Sequence, residues 1–118
     1  MVSAQRFLVG TFGLRAGPVT VDPAGRVVNA EVYAGDGVIW LHPESDDLGL
    51  ASPQALGGAA HCMAIDVPDV DAHFDYARAA GAEIVYEPEL MPYGVREYGA
   101  RDSEGGLWSF MQAVVAEE

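Results

Sequence analysis

Few side chains in this sequence are of a type that makes or breaks bonds. There are three histidines (His42, His61 and His73), one cysteine (Cys62), and 18 acidic residues against 6 basic ones. Enzyme sites assemble a nucleophile with a base and an oxyanion donor, or about three ligands around a metal. No G-x-S-x-G, P-loop or G-x-G-x-x-G occurs here. His61 adjoins Cys62, but neighbours on an extended run point to opposite faces, so His61 goes with Met63 and Cys62 with Ala64. With no partner evident, Cys62 reads as a small buried side chain. His73 has Asp69 and Tyr76 at nearby helical turns and reads as a solvated helix residue.

Aromatic and polar side chains on alternating positions offer different chemistry. Residues 27–34 place Ala30, Val32 and Ala34 on one face and Asn29, Glu31 and Tyr33 on the other. Residues 38–42 place Ile39 and Leu41 on one face and Val38, Trp40 and His42 on the other. Aromatic anchors with a few polar groups suit a flat conjugated ligand. Ordinary packing is the competing reading for each ring. It is preferred for Trp108 and Phe110, which alternate with Ser109.

The elements that must position these groups can be read in order. Residues 3–14 read as a short helix with Phe7, Leu8 and Phe12 on one face and Gly13 near its end; Gly10 weakens this, and residues 6–12 also fit a strand. Residues 19–21 form a strand turned by Asp22-Pro23-Ala24-Gly25. Gly35-Asp36-Gly37 makes a hairpin between the two alternating runs. Residues 43–59, rich in Pro, Gly, Ser and Asp, form a long connection, read equally as a binding loop or a plain crossover. A strand (60–67), a helix (69–80) and a strand (82–86) follow. Asp69 caps that helix, Asp71 favours its dipole, and Val70, Phe74 and Ala77 make its buried stripe. The chain then runs through a hairpin: strand 95–101, a turn at Asp102-Ser103-Glu104-Gly105-Gly106, and strand 107–112.

Composition sets further bounds. A chain of 118 residues is long enough for one domain with a real core. The formal net charge is −12, and every basic residue is arginine. Nucleic acid and anionic membrane need clustered positive charge, so neither is an expected partner. An acidic surface serves solubility or attracts a cationic small molecule. No apolar run approaches the roughly 20 residues that span a bilayer, and Met1-Val2-Ser3 does not open a secretory signal. A single cysteine excludes an internal disulfide, and a reducing, cytoplasmic setting is expected.

The stretch VDAHFDYARAAGAEIVYEPELMPYGVREYGARDSEGGLWSF (residues 70–110) resembles the C-terminal module of the vicinal-oxygen-chelate superfamily. More narrowly it resembles the glyoxalase/bleomycin-resistance branch, where a helix ending in A-A-G-A-E leads to a YG.REY.ARD.EG..W.F hairpin. FLVGTFGL and GRVVNAEVYAGDGVIWL resemble the corresponding segments of the first module. The resemblance implies a single α+β domain of two βαβββ modules forming a curved mixed sheet with a cleft. Module one would cover residues 1–42, the linker 43–59, module two 60–112 and a tail 113–118. The chain starts almost at the first helix, so the first strand of module one is missing; an uncovered edge invites pairing with another chain. The family's usual arrangement implies a homodimer.

Enzymes of that superfamily hold a divalent metal through His and Glu side chains in the cleft. Carried onto this sequence, one ligand position is lost with the missing strand, and the others fall at Trp40, Cys62 and Ser109. His61 stands one residue from the third position. No metal or other cofactor is therefore expected. The same carry-over puts Ser109 and Met111 in the cleft, with Arg96, Tyr98 and Tyr93 as candidates. The ligand-binding set is then Asn29, Glu31, Tyr33, Trp40, His42, Tyr93, Arg96, Tyr98, Ser109 and Met111. The resemblance implies a non-enzymatic protein that sequesters an aromatic natural product, neutral or cationic, as bleomycin-resistance proteins do. Two alternatives stay open: an enzyme of the same fold (a lyase, isomerase or dioxygenase) with an atypical or metal-free site, and a partner-binding subunit.

Overall fold

The computed structural model describes residues 2–114; the end of the tail lies outside them. Module one consists of helix α1 (Val2–Gly10) and strands β1 (Arg15–Val21), β2 (Val27–Ala34) and β3 (Gly37–Leu41). A connection carrying the one-turn helix α2 (Pro53–Leu56) leads to module two. That module holds β4 (Cys62–Asp66), α3 (Val70–Ala79), β5 (Glu83–Leu90), β6 (Val95–Arg101) and β7 (Leu107–Ala113). Each module has its own sheet, in the order β1-β2-β3 and β4-β7-β6-β5. In module two β4 lies parallel to β7. Among the described residues module one has no such strand, and β3 pairs only with β2.

Local chemistry accounts for these elements. Gly35, at φ 57°, takes the first corner of the β2–β3 turn, where a two-residue hairpin loop needs a positive φ. Asp102 organises the β6–β7 turn by accepting from the Glu104 and Gly106 amides and from the Trp108 indole at 2.8–2.9 Å. Asp69 caps α3 through Oδ1, which accepts from the Ala72 amide at 3.1 Å. Helix α1 ends at Gly10, four residues earlier than expected, and left-handed Gly13 (φ 71°) turns the chain into a β1 longer than expected. The connection is not wholly irregular: Ser52 caps α2, and the Gln54 amide donates to the Glu104 carbonyl at 2.9 Å.

Helices α1 and α3 cover one face of the sheets and leave the other face open. Val32 of β2, Tyr98 and Ala100 of β6, and Trp108 and Phe110 of β7 form the core with Leu8, Phe12, Val70, Phe74 and Ala77. The stripe expected on α3 is buried. Gln5 pins α1 across module one, its side-chain amide donating to the Gly17 and Glu31 carbonyls at 3.1 and 2.9 Å.

The joint between modules is made by the chain leaving α1 and by α3. Phe12 is fully buried, with its ring 5.0 Å from Phe110 and 5.6 Å from Trp108. The Tyr76 hydroxyl donates to the Gly10 carbonyl at 2.7 Å. His73 is not a solvated helix residue: Nε2–H donates to the Phe12 carbonyl at 2.7 Å, and Nδ1 accepts from the Tyr98 hydroxyl. The sequence placed it on the right helix but could not show that the end of α1 folds back over it.

Burial holds the His73 imidazole below its usual value of 6.5, against the opposing pull of the Phe12 carbonyl. Between that lowered value and 6.5 the unfolded chain binds more protons than the folded one, so stability rises with pH. The contribution is complete above about pH 6.5 and is lost as pH falls through the folded value. The melting temperature is expected to drop on acidification across that window, and His73→Gln is expected to flatten the drop. An unchanged slope in the variant would assign the acid sensitivity to other groups.

Candidate functional site

The open face of module one is built on Trp40. Strand β3 pairs Trp40 with Glu31 of β2, and the Trp40 indole N–H donates to Glu31 Oε1 at 3.1 Å. The ring is 70 % exposed yet held in orientation by that bond. Tyr33, two residues along the same face, lies under the Arg15 guanidinium at 5.3 Å. Gly17 of β1 lets this layer close up, since a methyl there would sit 2.8 Å from Glu31 Cβ. Asn29 continues the row opposite Thr20.

An open groove of about 530 Å³ runs beside β3. Its lining includes apolar Leu8, Leu41 and Trp108, the rings of Trp40, His42 and His61, and acidic Glu44, Asp102 and Glu104. The volume falls in the range of small-molecule sites. His42 is exposed, and its Nδ1–H donates to the Pro43 carbonyl at 2.7 Å.

The open face of module two centres on Glu97. Glu97 Oε2 accepts from the Tyr86 hydroxyl and Oε1 from the Tyr93 hydroxyl at 2.7 Å, while Tyr86 also bonds Ser109 Oγ at 2.9 Å. A register shift between Ile84 and Tyr86 re-aims Tyr86. Ile84 faces the core, whereas Tyr86 lies across Gly99, where any Cβ would strike its ring. Tyr86 thereby shields Ser109 and Glu97, which are 6 % and 5 % exposed. Burial and the Glu97 hydrogen bond push the Tyr86 phenol up to about 12, so it remains a donor at neutral pH. The hydrogen bond to Glu97 also raises Tyr93. Met111 pairs with Glu97 across the β6–β7 ladder.

Two residues of the expected set lie elsewhere. Tyr98 is fully buried on the helix side against Phe74 and His73. Arg96 forks onto Asp71 of α3, with Nη2 2.8 Å from Oδ1. The residues missed were Glu97 and Tyr86. The hairpin register carried a signal for Glu97: closing the turn pairs Gly99 with Ser109, so a Ser109 on the open face brings Glu97 and Gly99 with it. Cys62 is exposed rather than buried, because its face carries no helix.

The donor set does not fit a divalent metal. Trp40 offers no ligand atom, Ser109 is committed to Tyr86, and among the described residues no three His, Cys, Asp or Glu side chains converge. No helix of the described residues is long and apolar enough to cross a membrane.

Comparison with known proteins agrees with this architecture. The crystal structure of TioX from Micromonospora sp. ML1 is similar at 32 % identity over 99 % of this chain and 90 % of its own, with a TM-score of 0.72. The structure of UcmS2 shares the fold at 23 % identity, covering 93 % and 87 %, with a TM-score of 0.74. So does TnmS3, an antibiotic binding protein from Streptomyces sp. CB03234, at 18 % identity, 93 % and 84 %, and a TM-score of 0.70. No curated protein matches the sequence. Residues 3–110 match the Glyoxalase/Bleomycin resistance protein/Dioxygenase superfamily, and the chain belongs to it.

Proposed function

We propose that this protein is a binding protein that sequesters a planar aromatic natural product, of bleomycin-like or other DNA-damaging type, without making or breaking a bond. The observation that carries this reading is Trp40: a large ring left mostly uncovered yet oriented by its bond to Glu31. Such a ring is a ready stacking surface. Tyr33 and the adjoining groove extend it, and the acidic residues of the lining tolerate positive charge on the ligand.

The capture site is completed in a homodimer. The chain is elongated, 58 × 28 × 26 Å with a radius of gyration of 15.5 Å, against about 13.5 Å for a compact chain of this length. Val21, Val38, Trp40 and Tyr93 remain exposed on or beside the open face. Facing sheets from two copies would cover this surface and enclose the ligand. The exposed Cys62 thiol fits a reducing cytoplasm.

The test is a titration of tryptophan fluorescence with bleomycins and polycyclic DNA-binding antibiotics, each bound ligand being recovered and weighed by mass spectrometry. Saturable quenching with the ligand returned intact is expected. A changed ligand mass would make the protein an enzyme of the same fold.

A further inference from the structure

Among the described residues Glu97 is a buried carboxylate with no cationic partner. Only 5 % of it is exposed, yet both its hydrogen bonds come from neutral phenols, Tyr86 and Tyr93. Ion pairs among the described residues join Arg26 to Asp22, Arg96 to Asp71 and Arg101 to Glu83, and none involves Glu97. A carboxylate so far from water ordinarily has a cation beside it. Each of its oxygens holds one hydrogen and retains a second acceptor direction.

The two covering phenols differ in how firmly they are held. Tyr86 is locked between Glu97, Ser109 and the backbone of Gly99. Tyr93 sits on the loop between β5 and β6, is 64 % exposed, and has Glu97 as its hydroxyl's partner. It is not part of the core cluster.

We infer that Glu97 is a preformed receptor for a positively charged N–H donor on the ligand, a protonated amine or guanidinium. Tyr86 and Ser109 hold the carboxylate in place, and Tyr93 is the cover that the ligand's cation replaces. The inference rests on the aromatic-capture reading, with the facing sheets of two copies bringing Glu97 to the ligand, and gives the captured molecule a second required feature. A protonated amine adds ion-pair attraction to the hydrogen bond that a neutral hydroxyl would also make to the carboxylate, enough to read as about tenfold in affinity.

Calorimetric titration with two probes tests this. Aminomethylanthracene carries an ammonium beside its rings, and hydroxymethylanthracene carries a neutral hydroxyl in the same place. Titrations run near neutral pH in high salt, which screens the general pull of the −12 net charge. The wild-type protein is expected to prefer the ammonium by about tenfold, and Glu97→Gln to abolish the preference. Tyr93→Phe, which leaves the carboxylate intact, is expected to tighten ammonium binding selectively by freeing Oε1; this second variant decides the matter if Glu97→Gln fails to fold. Equal affinities in the wild type, or a preference that survives Glu97→Gln, would overturn the role of Glu97 and leave aromatic capture standing. Binding of neither probe would overturn both.

Discussion

Trp40→Ala is expected to weaken capture of an aromatic ligand by about 2 kcal/mol or more, roughly thirtyfold in Kd. Truncating a buried interface tryptophan removes a large, rigid contact area whose ordering costs little entropy. In the free protein the ring is mostly in solvent, and its one hydrogen bond ends on Glu31, itself accessible to water. Folding stability should therefore change by no more than about 0.5 kcal/mol, as for other surface sites. This separation makes the experiment decisive, because a fold-neutral variant with a large binding defect places the ring in the site. Trp40→Phe should retain part of the affinity, keeping a stacking face but losing the bond that orients it. Calorimetric titration reads all three proteins, and an unchanged Kd for the alanine variant would remove Trp40 from ligand contact.

Phe12→Ala is expected to destabilise the fold by about 3–5 kcal/mol, the usual cost of deleting a buried phenylalanine. Against a total stability of about 5–15 kcal/mol for a domain, the loss is severe. Phe12 stands outside any helix or strand, but its ring packs on Phe7, Phe110 and Trp108 while its carbonyl accepts from His73. It therefore links module one to the core of module two. Phe7→Ala, at a half-buried position, should cost less. Urea denaturation followed by tryptophan fluorescence and by far-ultraviolet circular dichroism gives the comparison. A loss below about 1 kcal/mol would mean that the joint depends on other contacts.

The two predictions separate the protein's tasks. Phe12 joins the modules on the helix side, where side chains interdigitate out of water. Trp40 belongs to the opposite side, which no helix covers. The same division explains the fate of Cys62 and Ser109 on the open face. Cys62 is exposed because nothing lies over it, and Ser109 is buried because Tyr86 does.

The sequence by itself determined the local elements. Strands β2 and β6 lie where alternation and turn residues put them, because Gly35-Asp36-Gly37 and Asp102–Gly106 set hairpin registers through short-range backbone chemistry. The pairing of Trp40 with Glu31 follows from that register. The α+β class was also legible, from the order of elements.

Only the tertiary structure decided which of two alternating faces α3 would cover. On β6 the pairing of Gly99 with Ser109 ties Glu97 to the face of Ser109, so β6 follows whichever face of β7 the helix covers. Packing chose Tyr98 and Ala100 for the core. Tyr86 then turned to the open face through a bulge that strand periodicity does not contain, and His73 acquired its partners when the end of α1 crossed α3. Each of these outcomes joins residues far apart in the chain. Local propensity is blind to them because their energy comes from burial and hydrogen bonding between separate segments, within module two for Tyr98 and Tyr86 and between the modules for His73 and Phe12.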